Sequence, residues 1–251
     1  TRSLRSVSEE SGLAPATFTR LARALEYQEF AALRDDMRSK IEARINNFAD
    51  RAGQLQAVHG KEGGFFPAHV AACVNNIEQM AAQIDQNKLA ETVDRLYGAR
   101  NVVLVGRLGS TGLVEYLSYM ADFCVGNWHL AGKMGASFGA RISDLGAQDA
   151  MIVVTKPPFS TGTLKAAELA HEQGAYVVVI TDTHVCPAIR TSSASFLVPT
   201  DSPHFYSSYV ASTVLAESMI GMLVSRAGPE AKARIARIEE SNRRLNEVSD
   251  G

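Results

Sequence analysis

Hydroxyl side chains gather where apolar runs end. After Val102–Val105 come Gly106, Arg107, Leu108 and Gly109, then Ser110 and Thr111. After Met151–Val154 come Thr155 and Lys156, then Ser160, Thr161 and Thr163; after Val177–Ile180 comes Thr181. The glycines let backbone N–H groups approach an oxyanion, and a helix starting beyond each turn adds partial positive charge. Neutral hydroxyls beside helix N-termini suit a phosphate ester, which accepts many hydrogen bonds. Each hydroxyl alone also fits an ordinary helix N-cap, and one Gly-rich turn is a weak motif. Two such loops together favour the phosphate reading, with Gly106, Gly109, Ser110, Thr111, Thr155, Ser160, Thr161 and Thr163 as ligand-binding candidates. Arg107 and Lys156 lie beside the same strand ends. General-base chemistry on a sugar would need a Glu or His. Glu115, Glu217, His184 and His204 are available, none in a recognisable motif.

The elements that must position these residues alternate. Strands are expected at Val102–Val105, Trp128–Leu130, Met151–Thr155, Val177–Thr181 and Phe196–Val198. Helices are expected from Leu113 to about Val125 and at Met134–Ile142, Thr161–Gln173 and Ser207–Arg226, with a short helix or turn at Ala188–Ser193. Strands alternating with helices imply an α/β fold with a doubly wound, mainly parallel sheet, whose ligands sit at the carboxyl ends of strands. Before the sheet, Ala68–Ile84 and Lys88–Tyr97 read as amphipathic helices. Glu29–Val58 reads as a charged linker helix, and the loop 59–64 as a boundary. The tail Pro229–Ser249 is a charged helix whose Ala231, Ile235, Ile238, Asn242 and Leu245 form a stripe that fits either a partner subunit or its own domain.

At the amino end, Val7–Gly12 reads as a short helix, and Pro15 opens a second. Phe18, Leu21, Ala22 and Leu25 give that helix one apolar face; Thr17, Thr19, Arg20 and Arg23 lie off it. Four arginines against two glutamates give Thr1–Leu25 a net charge of +2. A short helix, a tight turn and a second helix bearing Thr and Arg is the helix-turn-helix pattern, in which arginine reaches phosphates and guanine edges. A plain helical hairpin shares it.

Two resemblances sharpen these readings. Val7–Arg34, with its Arg20-Leu21-Ala22-Arg23-x-Leu25 helix and following Tyr27-x-x-Phe30-x-x-Leu33-Arg34, resembles the second half of the DNA-binding domain of RpiR-type bacterial transcription regulators. That family carries further helices before this point. Asn101–Arg226 resembles the SIS (sugar isomerase) phosphosugar-binding domain. Gly106-x-x-Gly109-Ser110 stands where the family has Gly-x-Gly-x-Ser, with Leu108 at the second glycine. Thr155-Lys156-Pro157-Pro158-Phe159-Ser160 stands where it has Ser-x-Ser-Gly-x-Thr, and Asp182–Pro187 resembles its Thr-Asp-x-x-x-x-Pro turn. The resemblance implies that Ser110, Thr155 and Ser160 bind a sugar phosphate. Pro157 and Pro158 depart from the pattern, since neither offers an N–H.

The expected organisation is a partial helix-turn-helix domain over 1–40, linker and packing helices over 41–100, a SIS domain over 101–226 and a C-terminal helix over 227–251. The implied protein is a transcription regulator, not an enzyme, that senses a sugar phosphate. Its partners would be promoter DNA (through Thr17, Thr19, Arg20 and Arg23), the effector and one or three further copies of itself. An isomerase or lyase of the SIS class, and a binding module without a DNA role, are the alternatives. Composition fits: 251 residues, 46% hydrophobic and 21% charged, net charge −2, which argues against bulk coating of nucleic acid. No apolar run reaches the ~20 residues of a membrane span. Cys73, Cys124 and Cys186 form no CxxC pair and the histidines no metal-ligand spacing, so reduced thiols, a cytoplasmic location, and no metal or cofactor are expected.

Overall fold

A computed structural model describes residues 3–25, 27–35, 37, 48–57, 64–132 and 137–248. The chain divides into two compact units, 1–49 and 50–251.

In the first unit, α1 (Leu4–Ser11) starts where Ser3 Oγ accepts a hydrogen bond from Ser6 N at 3.2 Å. It stops at Gly12, whose φ of 69° is left-handed. Pro15 then opens α2 (Pro15–Ala24). Ala22 is fully buried, Phe18 packs edge to face on Phe30 at 5.6 Å, and Leu33 is buried from a helical segment at 30–35. Arg20 and Arg23 are exposed; Thr17 and Thr19 are half-buried, and the Thr19 hydroxyl bonds back to Pro15 O at 3.4 Å. Much of the expected linker helix lies outside the described residues, as does the loop 59–63.

The division falls within α3 (Phe48–Ala57); in the second unit, its remainder, α4 (Phe65–Gln83) and α5 (Gln86–Tyr97) precede a five-stranded sheet. Its strands are β1 (Val102–Gly106), β2 (Trp128–Leu130), β3 (Ala150–Val154), β4 (Tyr176–Thr181) and β5 (Ala194–Leu197). All neighbours run parallel in the order β2-β1-β3-β4-β5. Alternate residues serve two cores. Val102, Leu104, Ile152 and Ile180 face α4 and α5, α6 (Thr111–Cys124), α9 (Val210–Ala227) and the start of α10 (Pro229–Arg244). Val103, Val105, Met151 and Val179 face α7 (Phe138–Ile142) and α8 (Thr161–Glu172). Burial on both faces is why the strands read as unbroken apolar runs.

Several boundaries differ from expectation. The helix predicted at Met134–Ile142 runs only from Phe138, where Ser137 Oγ caps Ala140 N; 133–136 lie outside the described residues. The helix predicted from Ser207 begins at Val210, leaving 207–209 in the preceding loop. By length and composition α9 could cross a membrane, contrary to the expectation from the sequence. Eight of its residues are buried against the sheet and its neighbouring helices, so it is the core helix of this unit. The stripe on α10 packs on its own domain at one end, with Ala231 fully buried and Arg234 donating to Asp122 O, while Leu245 is exposed.

Candidate functional site

In a sheet of this order the connection direction reverses between β1 and β3, so a crevice forms beyond their carboxyl ends. A small pocket, open to solvent, lies there. The turn after β1 contributes Arg107, Leu108, Gly109 and Ser110, and the segment after β3 contributes Lys156, Pro157 and Pro158. A third side, absent from the sequence reading, comes from the loop 198–209 before α9 and supplies Tyr206, Ser207 and Tyr209.

The first turn is shaped by its glycines and by a leucine in an unusual conformation. A Cβ on Gly106 would lie 2.7 Å from Val114 and 2.9 Å from Ser110 O, so glycine there lets α6 pack close. A Cβ on Gly109 would lie 2.0 Å from the Tyr206 hydroxyl. Leu108, at φ 56°, occupies the left-handed region that a glycine enters without strain. Ser110 is buried, its Oγ 3.1 Å from the Tyr209 hydroxyl. Thr111 is the first residue of α6.

Lys156 is 5% exposed although it carries an ammonium group. Its Nζ donates to Ser212 Oγ at 2.9 Å and sits 3.7 Å from the centre of the Tyr209 ring, a cation–π contact. Burial pushes its pKa down from 10.5 to about 7, and the Asp182 carboxylate pulls the other way. Asp182 accepts a hydrogen bond from Thr200 at 2.7 Å. Burial also pushes the Tyr209 phenol up to about 12, so it is a neutral partner for Ser110. Arg107 is exposed and stacks over Phe138 at 4.6 Å. A Cβ on Gly162, in the first turn of α8, would lie 3.0 Å from the guanidinium.

Of the expected ligand residues, Gly109 and Ser110 line the pocket. Thr155 is buried at the end of β3, where its N–H extends the ladder to Ile180 O. Ser160 caps α8 by accepting from Thr163 N at 3.4 Å. Thr161 is exposed, and Thr163 is fully buried, its hydroxyl without a hydrogen-bond partner among the described residues. The prolines that break the SIS pattern, joined by a cis peptide bond, form one pocket wall. None of the four candidate bases lines the pocket. Glu217 accepts from the Tyr116 hydroxyl, Glu115 and His184 are exposed, and the His204 ring lies 4.3 Å from that of Phe205, tilted by 37°.

No family model and no curated protein matches the chain. Solved structures do. The sugar isomerase domain of an RpiR transcription factor from Sphaerobacter thermophilus is 19% identical with a TM-score of 0.65, over 68% of this chain and 96% of that one. The Vibrio vulnificus NanR protein, complexed with ManNAc-6P, is 18% identical with a TM-score of 0.64, over 97% of this chain and 86% of its own. A hypothetical protein from Methanococcus jannaschii, its structure taken to infer a 3-hexulose-6-phosphate isomerase, is 12% identical with a TM-score of 0.52, over 67% of this chain and 95% of its own. At these identities the likeness establishes the fold: a parallel α/β unit of the sugar isomerase type, preceded by a helical region.

Proposed function

We propose that this chain is a cytoplasmic, homo-oligomeric transcription regulator whose α/β unit binds a phosphorylated sugar and whose amino-terminal helices bind promoter DNA. The observation that carries the reading is the pocket at the β1/β3 crevice, which Arg107, Lys156 and Ser110 line together. A dianionic phosphate gains from both charges and from the hydroxyl. The likeness to NanR over 97% of the chain, helical region included, supports the same reading. Within it, Ser110, Lys156 and Arg107 meet the phosphate, and the Gly109 turn lets it approach. Ser160 and Thr161 act from the start of α8, Thr155 and Thr163 support the loop from beneath, and Gly106 and Thr111 set the helix behind it. In the first unit, Thr17, Thr19, Arg20 and Arg23 of α2 contact DNA. Ligand shifts DNA affinity by binding two states of the protein unequally.

The test is a thermal-shift panel of hexose, pentose and N-acetylhexosamine phosphates on the wild type and on Ser110→Ala. A ligand at ~100 times its Kd adds roughly 2.7 kcal/mol, or about 5–10 °C for a protein of this size. The reading expects one phosphosugar to give that shift, its unphosphorylated parent none, and Ser110→Ala to lose most of it. A folded protein indifferent to the whole panel overturns it. The Methanococcus neighbour favours one alternative, a sugar-phosphate isomerase. Conversion of the bound sugar, followed by NMR, would favour that alternative.

A further inference from the structure

The loop 198–209, which brings Tyr206 and Tyr209 to the pocket, is tied down on its other side by helices that precede the sheet. Arg51 of α3 donates from one Nη2 to Ser202 O at 3.0 Å and to His204 O at 2.8 Å. On α4, Asn76 is fully buried and makes a two-way pair with Asp201. Its Nδ2 donates to Asp201 O at 2.7 Å, and its Oδ1 accepts from Asp201 N at 3.1 Å. His69, two turns earlier, shares a hydrogen bond with Ser202 Oγ at 3.2 Å, and that oxygen accepts from His204 N at 3.0 Å. A buried side-chain amide is costly unless it is satisfied, and Asn76 is satisfied by one loop residue. Moving the loop therefore disturbs α3 and α4.

On the pocket side, the Tyr206 hydroxyl covers Gly109 so closely that a Cβ would come within 2.0 Å of it, and the Tyr209 hydroxyl meets Ser110. A ligand group that settles on Gly109 and Ser110 must displace or re-aim both rings. We propose that residues 198–209 are a strap that transmits occupancy of the pocket to α3, the helix within which the division between the two units falls, with Arg51 as the positioning residue. This rests on the phosphate-site reading above. The strap has two arrangements, and a ligand that favours one biases α3 through the Arg51 hydrogen bonds.

Hydrogen exchange read by mass spectrometry on the whole chain tests it, with inorganic phosphate and N-acetylmannosamine 6-phosphate as separate probes at saturating concentration. A several-fold change in exchange rate is expected in 102–111, in 198–209 and in 48–57. In Arg51→Ala the response of 48–57 disappears while that of 198–209 persists, and Arg51→Lys restores part of it. Should Arg51→Ala fail to fold, Tyr206→Ala cuts the strap at the pocket end, and the response of 48–57 is lost while 102–111 still responds. A wild type in which 48–57 stays unchanged while 102–111 responds overturns the strap and leaves the phosphate site standing. So does an undiminished response of 48–57 in Arg51→Ala. Silence of 102–111 to both probes and to the phosphosugar panel above overturns the phosphate site and the strap together.

Discussion

Replacing Lys156 by methionine isolates the electrostatics of the pocket. Burial is the main cause of its depressed pKa, from 10.5 to about 7, and Asp182 offsets part of it. In the unfolded chain the amine keeps its proton up to about pH 10.4. Between about pH 7 and that value the unfolded state binds more protons than the folded state, so stability rises with pH. Below about pH 7 both states are protonated and the contribution is flat, at its least favourable. At ~1.4 kcal/mol per pKa unit, holding the charge costs about 4 kcal/mol at pH 7 and about 2 kcal/mol at pH 9. Methionine has similar volume and no proton. It loses the hydrogen bond to Ser212 and the contact with the Tyr209 ring, about 1 kcal/mol each. The variant is therefore more stable than the wild type by about 2 kcal/mol at pH 7 and matches it near pH 9. Urea unfolding of both proteins across this range is the assay, and their difference cancels every other titrating group. Parallel curves would refute the reasoning, because they would mean that Lys156 has its proton in water.

Three further outcomes follow from the geometry. Gly109→Ala forces a Cβ to within 2.0 Å of the Tyr206 hydroxyl and costs about 1–3 kcal/mol; Tyr206→Ala in the same chain recovers most of that in a double-mutant cycle, whereas additive effects would place Tyr206 elsewhere. Asp149 is buried at the amino end of the sheet, where Arg100 above all, then Asn101 and Gly146 N–H, hold its carboxyl below the usual carboxylate range. Its stabilisation is complete above the unfolded value of about 3.9 and is lost as pH falls through the lower folded value. Asp149→Asn flattens that acid limb, and a variant that keeps the wild-type limb would contradict the assignment. Arg20→Ala and Arg23→Ala weaken DNA binding in a gel-shift or anisotropy titration, and each lost phosphate contact lowers the salt slope by about 1. Unchanged affinity and slope in both would remove α2 from the interface.

The sheet was legible because parallel strands buried on both faces read as continuous β-branched runs; Trp128–Leu130 was found to the residue. The strand order was not, since register and neighbour choice are long-range. It is the order that picks the β1/β3 crevice out of five strand ends. The site divides along the same line. Ser110 could be named because a hydroxyl after a Gly turn is a local signal. Ser160 gives the same signal, caps α8 and does not line the pocket; spacing alone does not tell a hydroxyl aimed at a ligand from one aimed at its own helix. Lys156 stands beside a strand end, but nothing local shows that it is buried, and the tyrosines carry no local signal. Lys156 is buried because Ser212, 56 residues on, accepts its hydrogen bond and Tyr209 lays a ring over it. Tyr209 in turn was assigned to the helix from Ser207, and only the later start of α9 at Val210 frees it to turn toward Ser110. The prolines that broke the SIS pattern fit the same logic. A loop that cannot offer N–H groups at Pro157 and Pro158 still lines the pocket with the amine of Lys156, which precedes them, and the proposed reading gives that group the anion. On the proposed reading, a ligand in this crevice would meet Lys156, Tyr206 and Tyr209 as well as the hydroxyls the sequence puts forward, and the pH dependence of Lys156→Met measures the charge on which that proposal depends.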